Sequence, residues 1–184
     1  MSETGLPHRT VIPGSSWACP CCGELQSGLP ALAFTTPRNL PPLNFWQLMR
    51  QRGYARDLYV DRETGGHYVR CVLILPIIDA DEPLEWGVWS TLSEENFKRY
   101  RQTFGDNDQS KLGDMFGWFS SHCPGYPETA GLKCNVIARD GKQRPLIRLE
   151  PTDHPLAIDQ RDGITLARAV ELAAPWLRVM GHKV

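Results

Sequence analysis

The chain has 184 residues, 41% of them hydrophobic and 22% charged, with a formal net charge of −1. That length supports one well-buried core, and the near-neutral charge supplies no broad cationic field for nucleic acid or anionic lipid. No apolar run approaches the ~20 residues of a membrane span, and the start lacks a basic-then-apolar secretory pattern, so a cytoplasmic location is expected.

Residues 1–16 are polar and broken by Pro7, Pro13 and Gly14, which predicts a mobile arm ahead of a single globular domain, 17–184. Trp17 then leads into Cys19-Pro20-Cys21-Cys22-Gly23. A Cys-Pro-x-Cys-Gly run has the shape of a zinc knuckle, with two thiolates converging and Gly23 able to turn at φ > 0. A structural zinc needs four ligands, and the chain has no second Cys-x-x-Cys. Cys21, Cys123, His122, His154 and His182 are the donors that remain to join Cys19 and Cys22. The competing reading is a knuckle-shaped turn without metal. A redox pair would sit at a helix N-terminus, whereas Glu24 to Gly28 looks like turn. Cys71, Cys123 and Cys134 are expected to be reduced and structural.

Residues 25–43 are loop-like, interrupted by Pro30, Pro37, Pro41 and Pro42. Asn44 is placed to cap a short helix over 45–52 that Gly53 ends, and 57–60 suits a short strand. After the Thr64-Gly65-Gly66 turn, 67–78 is the strongest strand. Val69, Cys71, Leu73, Leu75 and Ile77 share its apolar face. The later half of the other face, Val72 and Ile74, is also expected to be covered, and Pro76 sets an edge or bulge. Residues 85–91 form the next strand. Regular geometry sends Trp86 and Trp89 to opposite faces, and a bulge at Gly87 would bring them together.

Ser93 caps a helix to about Phe104, with Glu94 and Glu95 in its first turn. Residues 105–113 form a polar loop, 115–119 a dense aromatic patch, and 120–131 a turn-rich connection. Residues 132–138 and 145–150 predict a hairpin joined through Asp140-Gly141. A last helix over 165–180 carries Leu166, Ala169, Val170, Ala173 and Leu177 on one stripe, with Pro175 kinking it or starting a new segment. Strands and helices do not alternate regularly. The expected class is α+β, with a mainly antiparallel sheet, flanking helices and the knuckle-like turn.

Several runs together resemble one bacterial family, the domain of unknown function 2199. They are Trp17-Ala18-Cys19 through Gly23, Trp86-Gly87-Val88-Trp89, Leu92-Ser93-Glu94-Glu95-Asn96-Phe97, Phe116-Gly117-Trp118 and Tyr126-Pro127-Glu128-Thr129. Arg144-Pro145, the run Leu149 to Ala157, Gln160-Arg161 and Gly163-Ile164 complete the set. The resemblance implies no activity. It does imply a histidine in relatives where this chain has Gln26, and a cysteine near its Tyr59. Neither replacement is an ordinary zinc ligand, so Cys19→Ser is expected to cost only about 0.5–1.5 kcal/mol.

Among candidate catalytic groups, Asp153-His154-Pro155 places a carboxylate beside an imidazole, with Arg144 and His122 as further members of a loop-built site. Adjacent residues rarely hold that geometry, and the flanking prolines favour a rigid turn. Ser120 and Ser121 beside His122 lack a nucleophile elbow, and Gly65-Gly66 lacks a phosphate-loop continuation. Arg139, Lys142, Arg144 and Arg148 are expected to form a solvated face paired with Asp140 and Glu150. The leading expectation is a protein-binding or regulatory module with a protein partner and no nucleic acid or membrane. An enzyme built on Asp153, His154 and Arg144, and a zinc protein using Cys19 and Cys22, are the alternatives.

Overall fold

The computed structural model describes residues 16–18, 23, 25–27, 29, 32–37, 57–61 and 64–179. The predicted helix over 45–52 lies outside them, as do the arm up to residue 15 and Cys19, Cys21 and Cys22.

A two-stranded ribbon comes first: β1 (Ser16–Ala18) pairs antiparallel with β2 (Leu25–Ser27), Ala18 opposite Leu25. The remaining strands are β3 (Leu32–Ala33), β4 (Leu58–Val60), β5 (His67–Leu75), β6 (Leu84–Leu92), β7 (Asp114–Trp118), β8 (Lys133–Ile137) and β9 (Leu146–Leu149). They form one sheet in the order β3-β6-β5-β9-β8-β7, with β4 beside the first half of β5. Helices α1 (Glu94–Gln102), α2 (Pro155–Asp162) and α3 (Leu166–Val179) flank it.

The strongest predicted strand has the expected alternation. Val69, Cys71, Leu73 and Leu75 are fully buried, and Ile77 follows beyond the strand end. Val72 and Ile74 on the other face are only half-buried, so that face is less covered than expected. β6 pairs with β5 without a break from His67↔Leu92 to Leu75↔Leu84. Its regular pleat sends Trp86 into the main core and Trp89 into a second cluster with Tyr59 and Tyr68. A bulge at Gly87 is therefore not needed.

The sheet is mixed rather than mainly antiparallel, because β5–β9 and β3–β6 are parallel pairs. Strand parity explains the first of these. β5, β6, β7, β8 and β9 run alternately up and down, so the fifth strand points the same way as the first. When such a meander curls round on itself, its closing pair must be parallel. A second contact completes the ring: Ser90 bridges antiparallel to Phe119, bringing the end of β7 against β6. Ser120 N–H donates to Trp89 O at 2.8 Å, and Trp118 N–H to Thr91 Oγ1 at 3.1 Å.

Gly117 makes that approach possible. A Cβ built there would lie 2.2 Å from Thr91 O and 2.5 Å from Ser90 Oγ. The inward side chains of the curled sheet, with Phe97 and Tyr100 of α1, Leu156 and Ala157 of α2, and Ala169, Leu172 and Ala173 of α3, make one core. The Ser93 hydroxyl caps α1, accepting from Asn96 N–H at 3.2 Å as its sequence predicts. Pro175 lies inside α3, which continues through it.

No helix among the described residues is long and apolar enough to cross a membrane.

Candidate functional site

Of the candidate catalytic residues, His154 and Arg144 have partners within the scaffold. His154 is the N-cap of α2: its Nδ1 accepts from Leu156 N–H at 3.1 Å, and Pro155 occupies the first helical position. The expected rigid turn is thus a helix start. With Nδ1 accepting, the ring proton belongs on Nε2, which is buried without a hydrogen-bond partner among the described residues. That is the geometry of a cap rather than of a general base. Asp153 is exposed beside it.

Arg144 precedes β9 and His154 follows it, so about 13 Å of extended strand lies between them. Arg144 Nε instead bonds Asp57 Oδ1 at 3.0 Å. His122 Nδ1 is 3.8 Å from Glu128. Arg148 pairs with Asp114, and Arg139 Nε donates to Arg144 O at 2.7 Å. Arg144 and Arg148 of the basic cluster are therefore paired with Asp57 and Asp114 rather than with the expected Asp140 and Glu150, and Asp140 accepts from Ser110 N–H and Oγ.

Ser120 and Ser121 close the seam through their hydroxyls. Ser120 Oγ donates to Trp118 O at 3.1 Å, and Ser121 Oγ accepts from Trp89 N–H at 2.9 Å. Cys71, Cys123 and Cys134 are free and buried, as expected. Burial pushes all three thiols up, Cys134 to about 11. Among the described residues Cys123 donates no side-chain bond to a metal-ligating neighbour, and Cys19 and Cys22 lie outside them. No group of three or more metal-ligating side chains occurs among the described residues.

What is described around the cysteine run is its frame. Ala18 opposes Leu25, and Gly23 has φ 72°. Gln26 sits in β2 opposite Trp17, and Tyr59 packs against Tyr68 with ring centroids 6.0 Å apart.

The outer face of β7, β8 and β9 carries an exposed aromatic pair beside polar side chains. β7 alternates with Met115 and Gly117 inward, Phe116 and Trp118 outward. Those two rings are 42% and 45% exposed and meet edge to face at 5.3 Å. Register extends the face sideways: Phe116 opposes Asn135, which opposes Arg148, and Trp118 opposes Lys133. The sequence favours the core for Phe116, Trp118 and Phe119 alike, as for Trp86 and Trp89; Phe119 is buried, but the alternation of β7 leaves Phe116 and Trp118 exposed.

Beside this face is a groove of about 500 Å³ lined by β5, β8, β9 and α2. It arises because β9 pairs with β5 only at Leu146 and Ile147, then diverges. Gln160 of α2 fills the fork. Its Oε1 accepts from Leu149 N–H at 2.8 Å and its Nε2 donates to Ile147 O at 2.7 Å, replacing one residue of a neighbouring strand. Tyr126 ties the preceding loop to the same helix, donating to Asp159 Oδ2 at 2.7 Å. Burial, with Asp159 adjoining, holds the Tyr126 phenol above its ordinary range. Sequence reasoning missed Gln160 because its partners are backbone groups of a distant strand.

No curated protein and no solved structure matches the chain. The sequence profile of a family described as an uncharacterised protein conserved in bacteria matches residues 18–164, which takes in β2 to β9, α1 and α2. The chain belongs to that family, the domain of unknown function 2199.

Proposed function

We propose that the protein is a binding module that engages another protein through the outer face of β7, β8 and β9. The observation that carries this is the exposed Phe116–Trp118 pair, on a strand whose alternate residues are fully spent in the core. Exposed aromatics beside Arg have the composition of an interface anchor, and Asp114, Lys133 and Arg148 supply a polar rim. The contrast within the resemblance runs is informative. Trp86, Tyr126, Thr129, His154 and Gln160 are buried or bonded through their side chains within the fold, whereas the Phe116 and Trp118 rings stay 42% and 45% exposed.

The test is affinity capture from the native host with wild type and with Phe116→Ser/Trp118→Ser. Wild type is expected to retain a stoichiometric protein that the double variant loses at unchanged folded content. A partner retained equally by both overturns the reading, as does no partner at all.

Zinc binding by Cys19 and Cys22 is a second proposal, favoured by the ribbon register and the positive φ of Gly23. Elemental analysis of protein purified without a metal-affinity tag is expected to give about one zinc per chain on this reading. Zinc-free folded protein supports instead the metal-free turn that Gln26 and Tyr59 favour.

A further inference from the structure

The groove at the β5–β9 fork has a chemistry of its own. Its size is that of a small-molecule site, and Ile74, Ile137 and Leu146 from the sheet with Ala157 from α2 give it an apolar lining. The polar groups around it differ in how far they are committed. Gln160 spends both ends of its amide on β9. Asn135 is half-buried, with no protein hydrogen bond to its side-chain amide among the described residues.

Arg148 and Arg161 stand at the rim, ion-paired with Asp114 and Asp162, and Glu150 adds a carboxylate to the lining. Arg148 bonds Asp114 through Nη2 alone, and Arg161 bonds Asp162 through Nε and Nη2. A guanidinium has five N–H donors, so each retains donors beyond its ion pair. Two guanidiniums beside an apolar trough complement a molecule with an apolar body and an anionic head, and their fork geometry matches a carboxylate best.

We propose that this groove binds a small amphipathic carboxylate, with its body on Ile74, Ile137 and Leu146 and its head taken by Arg148 and Arg161. This goes beyond the protein-binding reading: Arg148 borders both surfaces, but Phe116 and Trp118 do not line the groove, so their double variant leaves octanoate binding unchanged and the two readings fail separately.

The test follows amide shifts of the isotope-labelled full chain on adding octanoate or octan-1-ol, both below micelle formation. Octanoate is expected to give saturable shifts at Asn135, Ile137, Leu146 and Ala157. The alcohol should bind at least about tenfold more weakly, since it lacks the charge that the guanidiniums recognise. Arg148→Gln/Arg161→Gln should lower octanoate to the alcohol's affinity, and Ile137→Trp should remove the shifts from both. If Ile137→Trp fails to fold, the Arg double variant alone decides. No saturable shift in wild type, equal binding of the alcohol, or wild-type octanoate affinity in the Arg double variant would each overturn the proposal.

Discussion

Replacing Gly117 with Ala is expected to destabilise the protein by about 3 kcal/mol, the upper part of the range for overpacking a close-packed site. The added methyl would sit 2.2 Å from a backbone carbonyl, that of Thr91, and a carbonyl in a paired strand cannot swing aside as a side-chain tip can. Relief requires β7 to withdraw from β6, which stretches the Ser120-to-Trp89 bond and uncovers the seam. Equilibrium urea denaturation measures the loss. A cost below about 1 kcal/mol would show that β7 is not held against β6. Phe116→Ala, one residue away but pointing outward, is the internal control and should cost far less.

Gln160→Ala is the second large effect, at about 2–3 kcal/mol. It removes two hydrogen bonds and leaves Leu149 N–H and Ile147 C=O without the side-chain amide that served both, so the desolvation cost of both adds to the lost bonds. Gln160→Glu separates this account from simple packing. The side chain keeps its shape, and one oxygen still accepts from Leu149 N–H, but the other confronts Ile147 O. Only a protonated carboxyl can donate there, so folding should raise the pKa of the introduced acid. The sign then follows: the stabilising contact is present below the unfolded carboxylate pKa and is lost as pH rises through the folded one. Denaturation midpoints should show Gln160→Glu weaker than Gln160→Ala at pH 7 and recovering near pH 4. A pH-independent difference between the two would remove Gln160 from its role in the fork.

These two residues also show where sequence reasoning stops. The burial alternation of β5 is legible because period 2 is a local property, and the Ser93 cap is legible because its partner is three residues away. The outward placement of Phe116 and Trp118 follows from the same alternation once β7 has bounds. Gln160 and Gly117 are different, since their partners lie 11 to 27 residues away or further along the chain and on other elements. The parallel β5–β9 pair is equally hidden: each local hairpin is antiparallel, and only closure of the five strands imposes the parallel contact. His154 is the converse case, a structural, hydrogen-bonded histidine as its neighbours favoured, with only the form of the structure unforeseen. Its neighbours Asp153 and Pro155 looked like chemistry or a rigid turn, whereas Pro155 at a first helical position and an imidazole cap begin α2.

That Phe116 and Trp118 lie outside the core, as the proposed binding face requires, is tested most directly by urea denaturation of Phe116→Ser/Trp118→Ser beside wild type. Exposed side chains away from core features leave stability within about 0.5 kcal/mol each, so a midpoint close to wild type is predicted. A loss above about 3 kcal/mol, the scale of emptying a buried aromatic site, would place the two rings in the core and contradict the account.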